Sequence, residues 1–400
     1  MKILVINCGS STIKFQLYNM ENNEVIAKGK CDKIGIEGSS IIFKNLRDKI
    51  FYERPTTMSN HDEAMASIIA NLTDKKEGVI KSFEEIEAVG HRVVHGGEKF
   101  SKAVLIDEHI INELDKLSEM APLHNPAAIM GIRTIQAIDK NMINVAVFDT
   151  AFHQSMPVYN YLYAIKYEYY EKYGIRRYGF HGTSYLYILN RLSAKLNKPK
   201  GEINAIVCHI GAGASICAIK NGTSHDTSMG YTPLEGLVME TRCGDLDPSI
   251  VTTIMEKENL SISEINDILN KESGRMGICG IGDQRQLVAE ANLGNQKAIL
   301  AMNIQANRTK KYVGAYMAEL NRVDAIVFTG GIGENNFYER EMTLSNMEYL
   351  GVKIDEERNI NGSGKEALIS KDDSRIPVFV IPTDEELEIA KQTQQMCYEC

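Results

Sequence analysis

The chain has no excess of basic charge. Its 400 residues carry 44 lysines and arginines against 53 acidic residues, a formal net charge of −9. That balance argues against a general nucleic-acid binder, which needs a basic face for the phosphate backbone. No apolar run approaches the length of a membrane span. The opening MKILVINCGSS has one lysine and the short apolar run ILVI, too short for the core of a secretion signal. Low-complexity linkers are missing and prolines number only nine, so ordered connections rather than a tether are expected between domains. The eight cysteines are scattered through apolar segments, which fits free, buried thiols in a reducing cytoplasm. The single close pair, Cys397 and Cys400 in the terminal CYEC, has no second pair to complete a metal or redox site and reads as incidental. There is no Walker loop: NINGSGKE (359–366) has Gly-Lys, but Glu366 replaces the hydroxyl residue and Asn359 the first glycine. That stretch reads as a surface loop.

What is present is an ordinary globular composition, 44% hydrophobic and 24% charged. The length exceeds what one core usually serves, so two domains are expected. KILVI is continuously apolar, as for a strand covered on both faces. After the polar NCGSST, Ile13, Phe15 and Leu17 alternate with Lys14, Gln16 and Tyr18, which predicts a half-buried strand with Lys14 on the face opposite Ile13. Residues 61–75 and 107–119 have helical spacing of apolar positions. INVAVFDTAFH (143–153) is a buried strand with a polar tip, and EINAIVCHIGAGASICAIKNG (202–222) is again strand, glycine-rich loop, strand. The loop at 209–215 thus repeats the design of the one at 7–12, which points to two copies of one unit. VDAIVFTGGIGENN (323–336) reads as strand, tight turn and a helix starting at Glu-Asn-Asn.

Small residues let a ligand approach the backbone, and consecutive N–H groups form an anion-binding concavity. Each glycine turn alone is first a turn; three in one acidic chain favour phosphate. Arg92 and Arg242 sit in glycine-rich turns rather than on a charged helix face, either as solvated or carbonyl-bridging arginines or as anion ligands. Asp149 ends a buried strand, as a turn cap or as a carboxylate bound to something positive. His181 and His124 are either satisfied core histidines or functional ones. Cations around a phosphoryl group, a carboxylate or amide to hold a metal, and little covalent chemistry are what phosphoryl transfer requires. An acceptor already ionised at neutral pH needs a guanidinium to hold it and no strong base.

LVINCGSSTIKFQL, GHRVVHGGE, APLHNPAA, FDTAFH, YGFHGTS, TSMGYTPLEGL, TRCGDLDP, FTGGIGEN and IPTDEEL together resemble the acetate kinase family, in its order, from residue 3 to about 391. The resemblance implies an α/β fold of two duplicated RNase H-like (actin-like ATPase) domains with a cleft between them. Residues 1–150 with a C-terminal helix at about 386–400 would form the first domain, and 151–385 the nucleotide-binding one. It implies reversible phosphoryl transfer between ATP and acetate, giving ADP and acetyl phosphate, with Mg²⁺ (or Mn²⁺), by a cytoplasmic homodimer with no nucleic-acid or membrane partner. By position, Asn7 and Glu385 would help hold the metal, and Ser10, Thr12 and Lys14 would form the first phosphate loop. Arg92 would bind the acyl carboxylate, and Val94, Leu123, Phe180 and Pro233 its methyl group. Asp149 would be the catalytic aspartate, with His181 and Arg242 stabilising the transferring group. His209, Ile210, Gly211, Ala212 and Gly213 would form the second phosphate loop. Asp283, Gln284 and Arg285, with Gly331, Ile332, Gly333, Glu334 and Asn335, would bind the nucleotide.

Four positions depart from the family pattern. Ala212 stands where an asparagine amide is usual, Glu240 replaces a glycine two residues before Arg242, CGIGDQRQL is about one residue short, and Tyr185 replaces a common histidine. These changes bear on donor and rate. Two other readings follow: a propionate or butyrate kinase of this family, or a nucleotide-binding protein with weakened chemistry.

Overall fold

The computed structural model describes residues 1–122 and 124–399, so Leu123 and Cys400 lie outside the described residues. Two compact units divide the chain: Met1–Phe152 with Asp384–Cys400, and His153–Thr383.

Unit 1 is built on eight strands: β1 (Lys2–Cys8), β2 (Ile13–Asn19), β3 (Glu24–Asp32), β4 (Ser40–Asn45), β5 (Ile50–Pro55), β6 (Ala88–Val93), β7 (Val104–Leu105) and β8 (Ile143–Phe148), in the order β5-β4-β3-β2-β1-β6-β8-β7. Unit 2 holds β9 (Ala205–Ile210), β10 (Ala214–Lys220), β11 (Thr223–Thr227), β12 (Ala325–Thr329), β13 (Ala367–Leu368) and β14 (Val378–Val380), in the order β11-β10-β9-β12-β14-β13. The duplication is explicit in the pairing. In unit 1, β3-β2-β1 are antiparallel and β1-β6-β8 parallel; in unit 2, β11-β10-β9 are antiparallel and β9-β12-β14 parallel. Each glycine loop therefore turns between the first and second strands of its unit.

Burial follows the alternation in β2. Ile13, Phe15 and Leu17 pack with Ala64, Met65 and Ile68 of the helix His61–Leu72. Tyr18, expected on the polar face, is instead buried, because the C-terminal helix Glu385–Tyr398 covers that face through Ile389 and Ala390. Its hydroxyl meets Gln16 at 2.9 Å and Asp384 at 3.3 Å. Gly90 on β6 makes room for this helix, since a Cβ there would stand 2.4 Å from Thr393 Oγ1. The expected helix at 107–119 is Glu108–Lys116 followed by a 3₁₀ turn.

Two expectations are corrected. After β12 the helix starts at Gly330, not at Glu334. Gly330 takes a φ of 77°, and Glu334 Oε1 accepts its N–H at 2.9 Å, which closes the turn four residues early. The NINGSGKE stretch is not all surface loop: it begins inside the helix Glu356–Asn361. Asn359 is buried there and accepts from Arg340 Nε through Oδ1 (2.7 Å) and from Nη2 through its carbonyl (2.6 Å).

Candidate active site

Unit 1 gathers charge at the carboxyl ends of its parallel strands, where open α/β sheets present ligand-binding groups. Arg92 stands one residue from the end of β6, and Asp149 follows β8, its N–H donating to Val93 O at 3.0 Å. Arg92 grips Asp149 in a bidentate pair, Nε to Oδ1 at 3.0 Å and Nη2 to Oδ2 at 2.6 Å. This leaves three of the guanidinium's five N–H donors outside the pair. Burial alone would lower the Arg92 pKa, but the carboxylates of Asp149 and Glu385 outweigh it and raise it. Glu385 opens the C-terminal helix, and burial pushes its pKa up to about 7; Arg92 and Lys14 pull it down while Asp149 and Glu386 push it further up. Asn7 and Lys14 are direct partners across the β1–β2 ladder. Between them the loop is closed by Gly9 N–H to Thr12 O (2.7 Å) and held by His61 Nε2, which donates to Gly9 O at 2.8 Å. Ser10 is exposed and Thr12 half-buried on that loop. Val94 follows β6 directly.

In unit 2 the hairpin β9–β10 carries the second glycine loop, closed by Gly211 N–H to Gly213 O at 3.1 Å. Gly179 (φ 76°) and His181 (φ 59°) are both left-handed, flanking the buried Phe180. A non-glycine residue in that region is strained and persists where its surroundings dictate it. His181 caps the helix Gly182–Leu196 and lies 2.8 Å from Ser215 Oγ through Nδ1. Its ring stacks on His209 at 4.1 Å, and His209 Nδ1 in turn meets Ser184 Oγ at 2.9 Å. A Cβ built on Gly213 would fall 3.6 Å from Arg242 Nη1 and 3.8 Å from His181 Nε2, so loop, arginine and histidine converge on one spot. Arg242 also donates to Pro233 O at 3.3 Å. Among the described residues no carboxylate pairs with Arg242, and burial lowers its pKa. A half-buried guanidinium so placed is suited to an anionic ligand.

The nucleotide segments converge as well. A cavity of 680 Å³ is lined by Asp283, Gln284, Arg285, Gly331, Ile332 and Asn335, together with Val288, Asn336, Phe337 and Tyr338. The rings of Phe337 and Tyr338, 4.0 Å apart, were missed by the sequence reading; their only signal is an aromatic pair directly after GIGENN. Asp283 caps the helix Gln284–Asn292 by accepting from the N–H groups of Arg285 and Gln286, so it organises the rim. Gly330 lies against the second glycine loop, where a Cβ would stand 2.9 Å from Ile210 O. Gly333 lies in the same short helix, 3.5 Å from Cys208 O by that measure. Glu334 accepts from Gly330 N–H (2.9 Å) and Thr383 N–H (3.0 Å), tying loop backbones together.

The departures have definite surroundings. The Ala212 carbonyl accepts the Glu240 N–H at 3.0 Å. The Glu240 carboxylate lies against Gly282, 2.7 Å from a Cβ built there, and its charge acts on the buried Arg275. Arg275 donates to Gln284, on the cavity wall, and to Gln305 at 3.3 Å. Glu339 is fully buried nearby, and burial pushes its pKa from 4.5 to about 7, with Arg275 giving partial relief. A folded pKa above the unfolded one gives stability that is complete below about pH 4.5 and lost as pH climbs through 7. Glu339→Gln therefore gains stability over the parent by roughly 2–3 kcal/mol between pH 5 and pH 8. Urea titrations at both pH values check this, and a difference flat with pH contradicts it.

Two like units, a glycine hairpin loop against a second glycine turn, and a neighbouring cavity with an aromatic pair define a phosphate- and nucleotide-binding α/β protein. The profile of the Acetokinase family matches residues 2–391, and the chain belongs to that family. It is 53% identical to the acetate kinase of Caldanaerobacter subterraneus subsp. tengcongensis over 99% of both chains. Among solved structures, Porphyromonas gingivalis acetate kinase superposes with a TM-score of 0.95 at 44% identity, and a Francisella tularensis propionate kinase with 0.93 at 42%; each comparison covers 99% of both chains.

Proposed function

We propose that this chain catalyses reversible transfer of a phosphoryl group between ATP and acetate, forming ADP and acetyl phosphate. The observation that carries the reading is Arg242, a half-buried guanidinium without a carboxylate partner among the described residues, beside His181 at a glycine loop. An acetate oxygen attacks the γ-phosphorus, the bond from phosphorus to the β–γ bridging oxygen breaks, and its electron pair leaves on ADP. No proton needs to move. Arg92 holds the acetate through the donors Asp149 does not use, and Asp149 fixes the guanidinium's plane. His181 and Arg242 gather the equatorial oxygens as charge spreads over them. The loop 209–213 and the segments at 283–285 and 331–335 hold the nucleotide, with Ser10, Thr12 and Lys14 at the first phosphate loop.

Asp149 and Glu385 crowd two carboxylates around Arg92, with burial and mutual repulsion raising the Glu385 pKa to about 7. Excess negative charge of this kind fits a divalent cation, and Mg²⁺ typically takes only one or two protein carboxylates plus substrate phosphates. Glu385 and Asn7 are the residues proposed to hold it. When bound it neutralises phosphate oxygens.

Val94, Leu123, Phe180 and Pro233 are the residues proposed to meet the methyl group, and one methylene more or less on the acid is expected to change the preference by about 1–3 kcal/mol. Trapping acyl phosphate as the hydroxamate, with MgATP and acetate, propionate or butyrate in turn, tests the reading. Acetate gives the largest kcat/KM. Product only with a longer acid reassigns the substrate, and no product from folded protein with any acid overturns the transfer. A cytoplasmic homodimer is part of the proposal, and light scattering reads its mass.

Ala212 removes a side-chain amide from the loop that would face phosphate. Ala212→Asn is expected to lower the KM for ATP about 5- to 150-fold, one hydrogen bond to a charged group being worth about 1–3 kcal/mol. Unchanged ATP saturation would show that the amide has no role in this chain.

A further inference from the structure

The turn between β1 and β2 lacks a bond that its register offers. Cys8 faces Ile13 as the last ladder pair, so Gly9 and Thr12 oppose each other next. A hydrogen-bonded antiparallel pair exchanges two bonds. Here one forms, from Gly9 N–H to Thr12 O at 2.7 Å. The second would run from Thr12 N–H to Gly9 O, the closing bond of a β-turn. That carbonyl instead accepts from His61 Nε2 at 2.8 Å. Among the described residues, the N–H groups of Ser10, Ser11 and Thr12 have no protein acceptor.

Two ties from outside the turn set the direction of these groups. In a trans peptide the C=O and the following N–H point opposite ways. With Gly9 O drawn to His61, Ser10 N–H is turned away from that side chain. Ser11 O accepts from Ile34 N–H at 2.9 Å, which turns Thr12 N–H away from Ile34. Successive N–H groups left unspent on such a turn make an anion-binding concavity. The tie to Gly9 is set by the core. His61 is buried and opens the helix His61–Leu72, which Asn60 caps by accepting from Glu63 N–H at 2.9 Å. Ala64, Met65 and Ile68 of the same helix pack against β2.

We infer that His61 is a positioning residue that holds the first glycine loop open, keeping the N–H groups of Ser10 to Thr12 available to a phosphoryl oxygen. The inference rests on the proposed role of this loop in binding phosphate. His61 acts from behind the loop: a carbonyl only accepts, so Nε2 carries the proton and the imidazole holds Gly9 O out of the turn.

The test uses the full chain labelled with ¹⁵N-threonine, with the Thr12 amide assigned by its loss in Thr12→Ser. In the ligand-free parent this amide exchanges with water as an unprotected one and shifts when acetyl phosphate is added. His61→Phe keeps a buried ring without the N–H. Gly9 O then returns to Thr12 N–H, whose exchange slows at least tenfold. Its kcat falls roughly 10- to 100-fold, up to the loss that follows removal of one preorganised donor to developing charge, with KM for acetate within twofold of the parent. His61→Gln, whose amide N–H reaches the place of Nε2, keeps the fast exchange and a kcat within threefold of the parent. A tie that served stability alone would lower the melting temperature of His61→Phe and leave its kcat unchanged, and that result overturns the inference. A protected Thr12 amide in the parent overturns it too, as does a His61→Gln variant as impaired as His61→Phe. If His61→Phe does not fold, His61→Leu takes its place, and the parent exchange rate decides independently of either. Failure of the kinase reading is distinguishable: the parent would then make no acyl phosphate, while its Thr12 exchange still reports whether His61 holds the loop open.

Discussion

Arg242→Ala lowers kcat about 10³-fold and leaves the melting temperature within a few degrees of the parent. The side chain's polar ties are to Pro233 O at 3.3 Å and to the Met239 sulfur at 3.9 Å, neither of them an ion pair. Among the described residues, removing it breaks no charge pair and strands no buried carboxylate, so stability changes little. Activity changes greatly, because a cation aimed at the equatorial oxygens of a transferring phosphoryl group is worth several powers of ten in rate. About 4 kcal/mol of transition-state stabilisation corresponds to that loss. Turnover by hydroxamate trapping and unfolding by calorimetry, on one preparation, check both halves. Near-parent turnover would remove Arg242 from the transfer.

Asp149→Asn should fail in activity and stability together. The carboxylate is 3% exposed and accepts two hydrogen bonds from Arg92. Amide substitution keeps the shape, but it turns one acceptor into a donor facing a guanidinium and leaves that cation underpaired. Breaking a buried pair from one side costs about 3–5 kcal/mol; with Arg92 22% exposed, roughly 2–4 kcal/mol is expected here. At least a 10²-fold drop in kcat/KM for acetate accompanies it, since the guanidinium loses the partner that sets its plane. Denaturant titration and acetate saturation curves give the two numbers. A stable variant with normal acetate saturation would show that the pair is neither structural nor substrate-orienting.

Much of the architecture could be read locally. The alternation of β2, the strand–glycine–strand units at both loops and the apolar strands before Asp149 and Gly330 depend on neighbours in sequence, and the structure forms them there. Tyr18 was misplaced because the helix covering it arrives from residues 385–398, a contact that no local period encodes. The helix start at Gly330 was missed because Glu334 reaches back along the chain to bond its N–H. In the site, the resemblance supplied the residues but not their relations. The Arg92–Asp149 pair spans 57 positions. The isolation of Arg242 from carboxylates among the described residues is a property of the fold, as is the burial of Tyr185 against Ser215. Glu240, which sequence alone set near Arg242, turns out to lie against Gly282 with its charge on Arg275.

The central claim is direct attack of an acetate oxygen on the γ-phosphorus. Acetate carrying ¹⁸O in both positions, incubated with MgATP and the protein, tests it by ³¹P isotope shift. Direct transfer predicts acetyl phosphate whose phosphorus carries a single ¹⁸O, with unlabelled ADP and no AMP. Label appearing in AMP would mean attack at the α-phosphorus. Acetyl phosphate without ¹⁸O on phosphorus would mean that the acetate oxygen is not the nucleophile. Either result contradicts the roles assigned to Arg92, His181 and Arg242.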